Sequence, residues 1–590
     1  MYKAPVDEIA FTLRYVTGIG DVLGRGRYSD FGDELVSAIL EEAGRFASER
    51  IAALGDIGDR QGARLVDGEV RTPDGWKETY RAWAEGGWNA LAAPEAYGGQ
   101  GLPHQLLVAT LEMWNGGSMA FAIGPTLTIG AIEALEAHAA SEIREKYLPK
   151  LVSGEWTGSM NLTEPGAGSD LSDMKTRAER RPDGTYRIFG QKIFITYGEH
   201  DLTENIIHLV LARLPDAPPG SKGISLFLVP KFLVNDDGSL GARNDLHCHA
   251  LEHKLGIHAS PTCTMIYGDG RFGSEKGAVG YLVGEENRGL ACMFTMMNNA
   301  RLAVGMQGVA VAEAATQKAL AYARERRQGR VPGWAGPGMS PIVEHPDVAR
   351  MLLTMKALTA GARAITYACA HAVDMARIET DENRRFWQER ASLLTPVAKS
   401  FATDVGVEVT SLGVQVHGGM GYIEETGAAR LFRDARIAPI YEGTNGIQAI
   451  DLVTRKLPLS DGVPIRALIS ELAEVAAKVP AEQRFGATAA RIEAAIAALE
   501  AATTWLLDAQ ANGRTAEALA GATVYQRQLG LTLTGIYLAK AGLAETADGG
   551  RAALARFFAE NLLPETAALG DSIVHGAGSL AAARSLLAGD

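Results

Sequence analysis

The residue whose setting most invites chemistry is Glu442, in Ile440-Tyr441-Glu442-Gly443-Thr444-Asn445-Gly446-Ile447-Gln448, between an aromatic residue and a glycine. A carboxylate favours a helix N-terminus, and a helix is predicted over "IQAIDLVTRKL". Thr444 or Asn445 is better placed to cap it. Glu442 is left on the approach, where two glycines admit another molecule's atoms close to the backbone.

Three further stretches carry polar or aromatic groups in patterns that suit a bound ligand. In Met160-Asn161-Leu162-Thr163-Glu164-Pro165-Gly166-Ala167-Gly168-Ser169-Asp170, two glycines flanked by hydroxyls suit a loop that closely approaches an anionic group. A tight turn between helix and strand explains the same residues, and Glu164 and Asp170 suit the satisfying of backbone donors. In Gln191-Lys192-Ile193-Phe194-Ile195-Thr196, strand alternation puts Phe194 and Thr196 on one face, an aromatic plate beside a hydroxyl. That fits a planar heterocycle, with an ordinary core aromatic as the alternative. Gln415-Val416-His417-Gly418-Gly419-Met420-Gly421-Tyr422 ends a helix in a glycine cluster, which a C-cap and turn would also explain.

Other clusters carry less. His247, Cys248, His249, His253 and His258 match no zinc spacing, so no metal site is expected. "GIGDVLGRG" has its glycines at the wrong offsets for a dinucleotide loop and no preceding strand. "RERRQGR" reads as a solvated helix end, with contact to phosphates as the second reading.

Elements that position these residues follow from periodicity. After an N-terminal arm (1–29), apolar spacings of three and four over 30–155 predict a helical domain. Short β-branched and aromatic runs bounded by Gly, Pro, Asn and Asp predict a β-domain over 156–282. Long amphipathic stretches return over 283–460 and predict a helix bundle. Beyond the linker "PLSDGVPIRA", alanine-rich patterns predict a helical extension over 461–590, in which no chemistry is found. The fold class is mainly α with a central β-domain.

The chain's 590 residues exceed one ordinary core. A net charge of -13 argues against a nucleic-acid-binding protein. Four cysteines without a CxxC fit a reducing compartment. The first residues lack an apolar leader and no uncharged run approaches bilayer-spanning length, so a cytoplasmic protein without integral membrane contact is expected.

Taken together, "TEPGAGSD", "QKIFIT", "VGEENRGL", "QVHGGMGY" and "YEGTNGIQ" occur in this order and in this helix, strand, helix context. The chain resembles the acyl-CoA dehydrogenase family over about 30–457. Its arm and extension are similar to those of the longer bacterial branch that includes 3-methylmercaptopropionyl-CoA dehydrogenase. The resemblance implies a homodimer that binds FAD between the β-domain and the helix bundle. Met160, Leu162, Thr163, Gly168 and Ser169 match its flavin-contacting stretch, and Phe194, Ile195 and Thr196 would flank the isoalloxazine. Arg326, Gln415, Gly418 and Gly419 match contacts to FAD phosphates and adenine across the dimer, and Thr444 and Asn445 would also touch the cofactor. Ser169, Arg301 and Gly443 are the implied substrate contacts.

On this resemblance Glu442 removes the α-proton of an acyl-CoA thioester while flavin takes the β-hydride, giving a trans-2-enoyl-CoA. Desolvation in a closed apolar cleft would raise its pKa toward working pH, and its backbone N–H would donate to the thioester oxygen. Some relatives carry the base just before the arginine matching Arg301; here that position is Ala300. Departures are Phe194 for a common Trp, Asn298 for a common Asp, Arg326-Arg327-Gln328-Gly329-Arg330 for "RxxFG", and Pro346 after His345. A methylthio-acyl or short-to-medium acyl-CoA is the expected substrate and an electron-transferring flavoprotein the expected acceptor. An acyl-CoA oxidase and a nonenzymatic DNA-associated flavoprotein are the competing readings.

Overall fold

The computed structural model describes residues 1–273, 275–545 and 549–587. Ser274 of the expected β-domain and residues 546–548 and 588–590 of the expected extension lie outside the described residues.

The chain begins with α1 (Val6–Phe11), which runs into a π-helical turn, Thr12–Thr17, stopped by Gly18 at φ +79°. Next come α2 (Asp33–Phe46), α3 (Leu54–Gln61), the hairpin β1 (Arg64–Val66) and β2 (Glu69–Arg71), and α4 (Trp76–Glu85). Helical periodicity alone misses this hairpin. Its signal is Asp67-Gly68, both left-handed at φ +53° and +82°, the pair a type I′ turn requires. Helices α5 (His104–His138) and α6 (Ser141–Val152) follow, α5 interrupted by the non-helical Ser118 after Gly116-Gly117. By length and composition α5 could cross a membrane, but 94% of its most apolar window is buried inside the protein, as in a core helix.

Strands β3 (Thr157–Asn161), β4 (Arg177–Arg180), β5 (Tyr186–Thr196), β6 (Ile206–Arg213), β7 (Ile224–Pro230), β8 (Phe232–Val234), β9 (Leu240–Arg243), β10 (Leu246–Leu251), β11 (Thr262–Tyr267) and β12 (Ala278–Val283) form the middle of the chain. The main sheet runs β10-β11-β5-β12-β7-β6-β3, with β4 beside β5 and β6, and β8 pairs with β9. Period-two alternation builds both of its faces. Ile207, Leu209 and Leu211 of β6 join a core with Leu148 and Leu151 of α6, while Val210 and Ala212 join Ile188, Phe227 and Val229 on the other side.

The remaining helices are α7 (Gly289–Glu325), α8 (Pro346–Ile378), α9 (Asp381–His417), α10 (Ala428–Ala435), α11 (Asn445–Asp451), α12 (Val463–Ala476), α13 (Thr488–Ala511), α14 (Thr515–Ala520), α15 (Ala522–Ala544), α16 (Arg551–Asn561) and α17 (Glu565–Ala583). The linker at Pro458 becomes a tight turn with Ser460, Asp461 and Gly462 all at positive φ.

These elements divide into two compact units, Met1–Arg45 with His104–Gly116 and Arg301–Asp590, and Phe46–Pro103 with Gly117–Ala300. Within the first, glycine lets α7 lie directly on α9. A Cβ on Gly305 or Gly308 would overlap the carbonyl of Ala398 or Ala402, and one on Gly406 would meet the Gly308 backbone at 2.9 Å. Helix α15 packs along α8 and α9, with Gly361 against Thr534 and Gly530 against Phe401. A buried polar cluster ties α5 and α7 to α8: Arg363 pairs with Glu112 (2.6 Å) and Glu313 (2.8 Å), and the Tyr367 hydroxyl donates to Glu112 at 2.5 Å. The N-terminal arm is fixed in the same unit. Arg551 of α16 pairs with Glu8 at 2.8 Å and lies over the Phe11 ring, and Tyr28 donates to Asp374 at 2.9 Å.

Candidate active site

In the helical unit, the segment after α10 folds back so that the N–H of Asn445 donates to the Pro439 carbonyl at 3.0 Å. Glu442 and Gly443 are consecutive left-handed residues at φ +55° and +79°. For a non-glycine residue this costs about 1–2 kcal/mol and persists when neighbours impose it. Here the neighbours are identifiable. The Tyr441 hydroxyl donates to Gln307 Oε1 of α7, Gln448 Nε2 donates to the Glu442 carbonyl at 3.4 Å, and Lys399 Nζ of α9 donates to the Gly443 carbonyl at 2.8 Å. Thr444 caps α11 by accepting from the Ile447 N–H at 3.2 Å. Asn445, expected against the cofactor, has its amide committed to α9. It accepts from Lys399 and donates to the Ser400 carbonyl, Thr403 Oγ1 and Asp404 Oδ1.

The charges around this turn oppose one another. Desolvation pushes the part-buried Glu442 carboxyl up to about 7, against the pull of the Arg301 and Lys399 cations. Lys399, fully buried, is pushed down to about 7 by burial, although the Glu442 and Asp404 charges favour its ammonium form. Burial likewise raises Asp404 and lowers Arg301. A carboxyl poised near neutrality can hold or release a proton at working pH, which is what a general base needs. Lys399 escapes sequence reasoning, because one lysine on an amphipathic helix reads as solvated until neighbouring elements cover it.

In the β-containing unit, the stretch Met160 to Ser169 is a turn latched to β5. Glu164 and Ala167 exchange backbone hydrogen bonds of 2.9 and 3.1 Å, and the Ile193 N–H donates to the Thr163 carbonyl at 2.9 Å. Beneath it, Lys192 Nζ donates to the Leu162 carbonyl (2.9 Å) and to Glu164 (2.8 Å), whose carboxylate also accepts from the N–H groups of Lys175 and Thr176. Glu164 therefore serves backbone donors, as does Asp170, which accepts from the Ser172 N–H at 2.9 Å. Met160, Leu162 and Thr163 are part-buried, Gly168 and Ser169 exposed.

Simple alternation fails at Phe194. Cys263 pairs with Ile195 but Met265 with Lys192, so two residues of β5, Ile193 and Phe194, face one of β11 in a β-bulge. Phe194 takes φ +59° and is 58% exposed, while Ile195 is buried and Thr196 part-buried. A strained backbone that presents a bare aromatic plate beside an open glycine turn fits a planar ligand such as an isoalloxazine ring.

A third group lies back in the helical unit, where Tyr322 of α7 stacks on His417 of α9 at 4.5 Å and brings two helix ends together. Arg326 and Gln415 are exposed there, and Gly418 (φ +58°) and Gly419 would carry a Cβ into open space. Open backbone beside a guanidinium suits phosphate oxygens. The departures after Arg326 close a local loop: Arg327 bridges to Pro341, and His345 and Ser340 bind the backbone of Gln328. The histidine-rich stretch is tied down separately, His258 pairing with Asp59 at 3.0 Å.

Family models match almost the whole length: "Acyl-CoA dehydrogenase, N-terminal domain" over residues 34–155, "middle domain" over 159–269 and "C-terminal domain" over 287–457. The extension matches "Acetyl-CoA dehydrogenase C-terminal like" over 468–584. A 3-methylmercaptopropionyl-CoA dehydrogenase of Ruegeria pomeroyi is 47% identical over 580 residues, 96% of this chain and 97% of that protein. The chain belongs to the acyl-CoA dehydrogenase family.

A butyryl-CoA dehydrogenase of Syntrophomonas wolfei is 35% identical, covering 84% of this chain and 82% of its own. The fold is that of Caenorhabditis elegans ACDH-11, solved in complex with C11-CoA, with a TM-score of 0.76 at 21% identity over 95% of this chain and 92% of that one. As a member of this family the protein is an FAD-dependent oxidoreductase.

Proposed function

We propose that this acyl-CoA dehydrogenase oxidises 3-methylmercaptopropionyl-CoA or another short-to-medium acyl-CoA to the trans-2-enoyl-CoA, with Glu442 as the base. The observation that carries the reading is a carboxyl raised to about 7, held in a left-handed turn by three helices. Glu442 takes the proton from the carbon next to the thioester carbonyl, and its own N–H stabilises the enolate oxygen as charge develops. FAD, when bound, accepts the β-hydrogen as hydride, and the Cα–Cβ double bond forms. Gly443 leaves room for the thioester, and Arg301 holds negative charge near the turn. Thr163, Ser169, Phe194 and Thr196 orient the ring, and Arg326, Gln415, Gly418 and Gly419 receive the rest of the cofactor from a second copy in a homodimer. The nearly full-length likeness to the Ruegeria protein supports the substrate class. Electrons then pass to an electron-transferring flavoprotein in the cytoplasm.

Anaerobic titration with a panel of acyl-CoA thioesters tests this. The yellow protein bleaches with its substrates, 3-methylmercaptopropionyl-CoA among the best, and Glu442→Gln keeps its colour but bleaches at least about a hundredfold more slowly. A variant that bleaches at the parent rate removes Glu442 from the role. Hydrogen peroxide formed stoichiometrically with enoyl-CoA, without added acceptor, would make the protein an oxidase.

A further inference from the structure

Lys399 stands in the middle of α9, between Pro396 and Thr403, and none of its surface reaches solvent. A buried ammonium is costly unless its donors are used. Its two hydrogen-bond partners, both at 2.8 Å, are uncharged oxygens of the same turn: the Gly443 carbonyl and Asn445 Oδ1. A leucine or methionine would fill the helix interior at lower cost, so a charge at this place calls for a reason beyond packing.

The geometry around it supplies one. Glu442 and Gly443 need positive φ, and each of their carbonyls is pinned from a different helix, Glu442 by Gln448 of α11 and Gly443 by Lys399 of α9. Asn445 extends the same attachment through Ser400, Thr403 and Asp404. We infer that Lys399 is the positioning residue for the base: its ammonium locks Gly443 and Asn445 onto α9, so that Glu442 keeps its left-handed turn, and its positive charge acts on the same carboxylate. This deepens the assignment of Glu442 as base and rests on it.

A pH signature separates this role from a structural one. The charged groups acting on Lys399 are Glu442 from the turn, Asp404 from its own helix and Arg301 from α7; Asp451 of α11 and Arg455 act in turn on Arg301. Glu442 and Lys399 both titrate near 7 and interact, so they titrate as a unit. Flavin reduction by substrate is bell-shaped in pH, rising as the pair loses its first proton to leave one carboxylate and one ammonium, and falling as it loses the second. Lys399→Arg keeps a cation at every accessible pH and removes the falling limb. Lys399→Gln keeps a donor without charge, and Lys399→Met keeps neither.

Expected are a reduction rate lowered about tenfold in the glutamine variant and about a hundredfold in the methionine variant, with substrate KM changed less than about threefold. Infrared titration of the flavin-free protein reads the carboxyl directly, with Glu442→Gln subtracted. The Glu442 midpoint moves up by about one pH unit or more in Lys399→Gln. An unmoved midpoint together with parental rates in the glutamine and methionine variants overturns the inference. Should the methionine variant fail to fold, the glutamine and arginine variants still decide. If Glu442→Gln itself turns over normally, the base assignment fails, and the infrared midpoint still shows whether Lys399 acts on that carboxyl.

Discussion

Two non-glycine residues carry left-handed backbone where chemistry is expected, Phe194 on a strand and Glu442 on a turn. Strain of this kind survives because the surroundings over-determine it, which at Phe194 gives an experiment with opposite signs. Phe194→Gly relieves about 1 kcal/mol of backbone strain and so raises the melting temperature of the flavin-free protein. The same change removes the aromatic plate, and flavin affinity falls about tenfold or more. A calorimetric scan and a flavin titration on one preparation check both, and a lowered melting temperature with unchanged flavin affinity would assign Phe194 to packing alone. The motif around Glu442 is legible because tyrosine, glutamate, glycine and a cap residue are all local. The clamp on it is not, since Lys399 is distant in sequence and meets α7 and the Glu442 turn only in the folded protein.

At the scale of elements, close backbone approach governs the bundle. Helix α9 carries Lys399 and Asn445's partners, and its distance from α7 is set by Gly305, Gly308 and Gly406. Gly308→Leu forces the two helices apart and destabilises the protein by at least about 2 kcal/mol, read from denaturant midpoints. Gly419→Ala, where a Cβ meets nothing, leaves the midpoint unchanged. Helix lengths and the strand-rich middle were readable from periods of 3.6 and 2. The β-bulge was not, because one extra residue shifts register without altering the apolar pattern that alternation reads. The three-residue strands of the β1–β2 hairpin are too short to carry a periodicity, and Asp67-Gly68 is their sequence signal.

For the molecule as a whole, the C-terminal extension is part of the helical core through α15. Leu529, Leu533 and Ile536 of α15 are fully buried, and Gly530 and Thr534 meet α9 and α8. Burying three such side chains contributes roughly 5–9 kcal/mol, comparable to the entire stability of many domains. A chain ending at residue 460 is therefore expected to be insoluble or to lose cooperative unfolding, as circular dichroism and sedimentation would show; a soluble, active fragment would refute this. Composition showed that the extension was helical, but the partner of its apolar faces becomes visible only in three dimensions.

The contact between Glu8 and Arg551 has a temporal side. The two residues are 543 apart, so at a ribosomal pace of about 5–20 residues per second α1 emerges roughly half a minute to two minutes before its seat on α16 is made. Over that interval Val6 of α1 can already settle against Gly44 of α2, whereas Glu8 and the face of the Phe11 ring wait in water for Arg551.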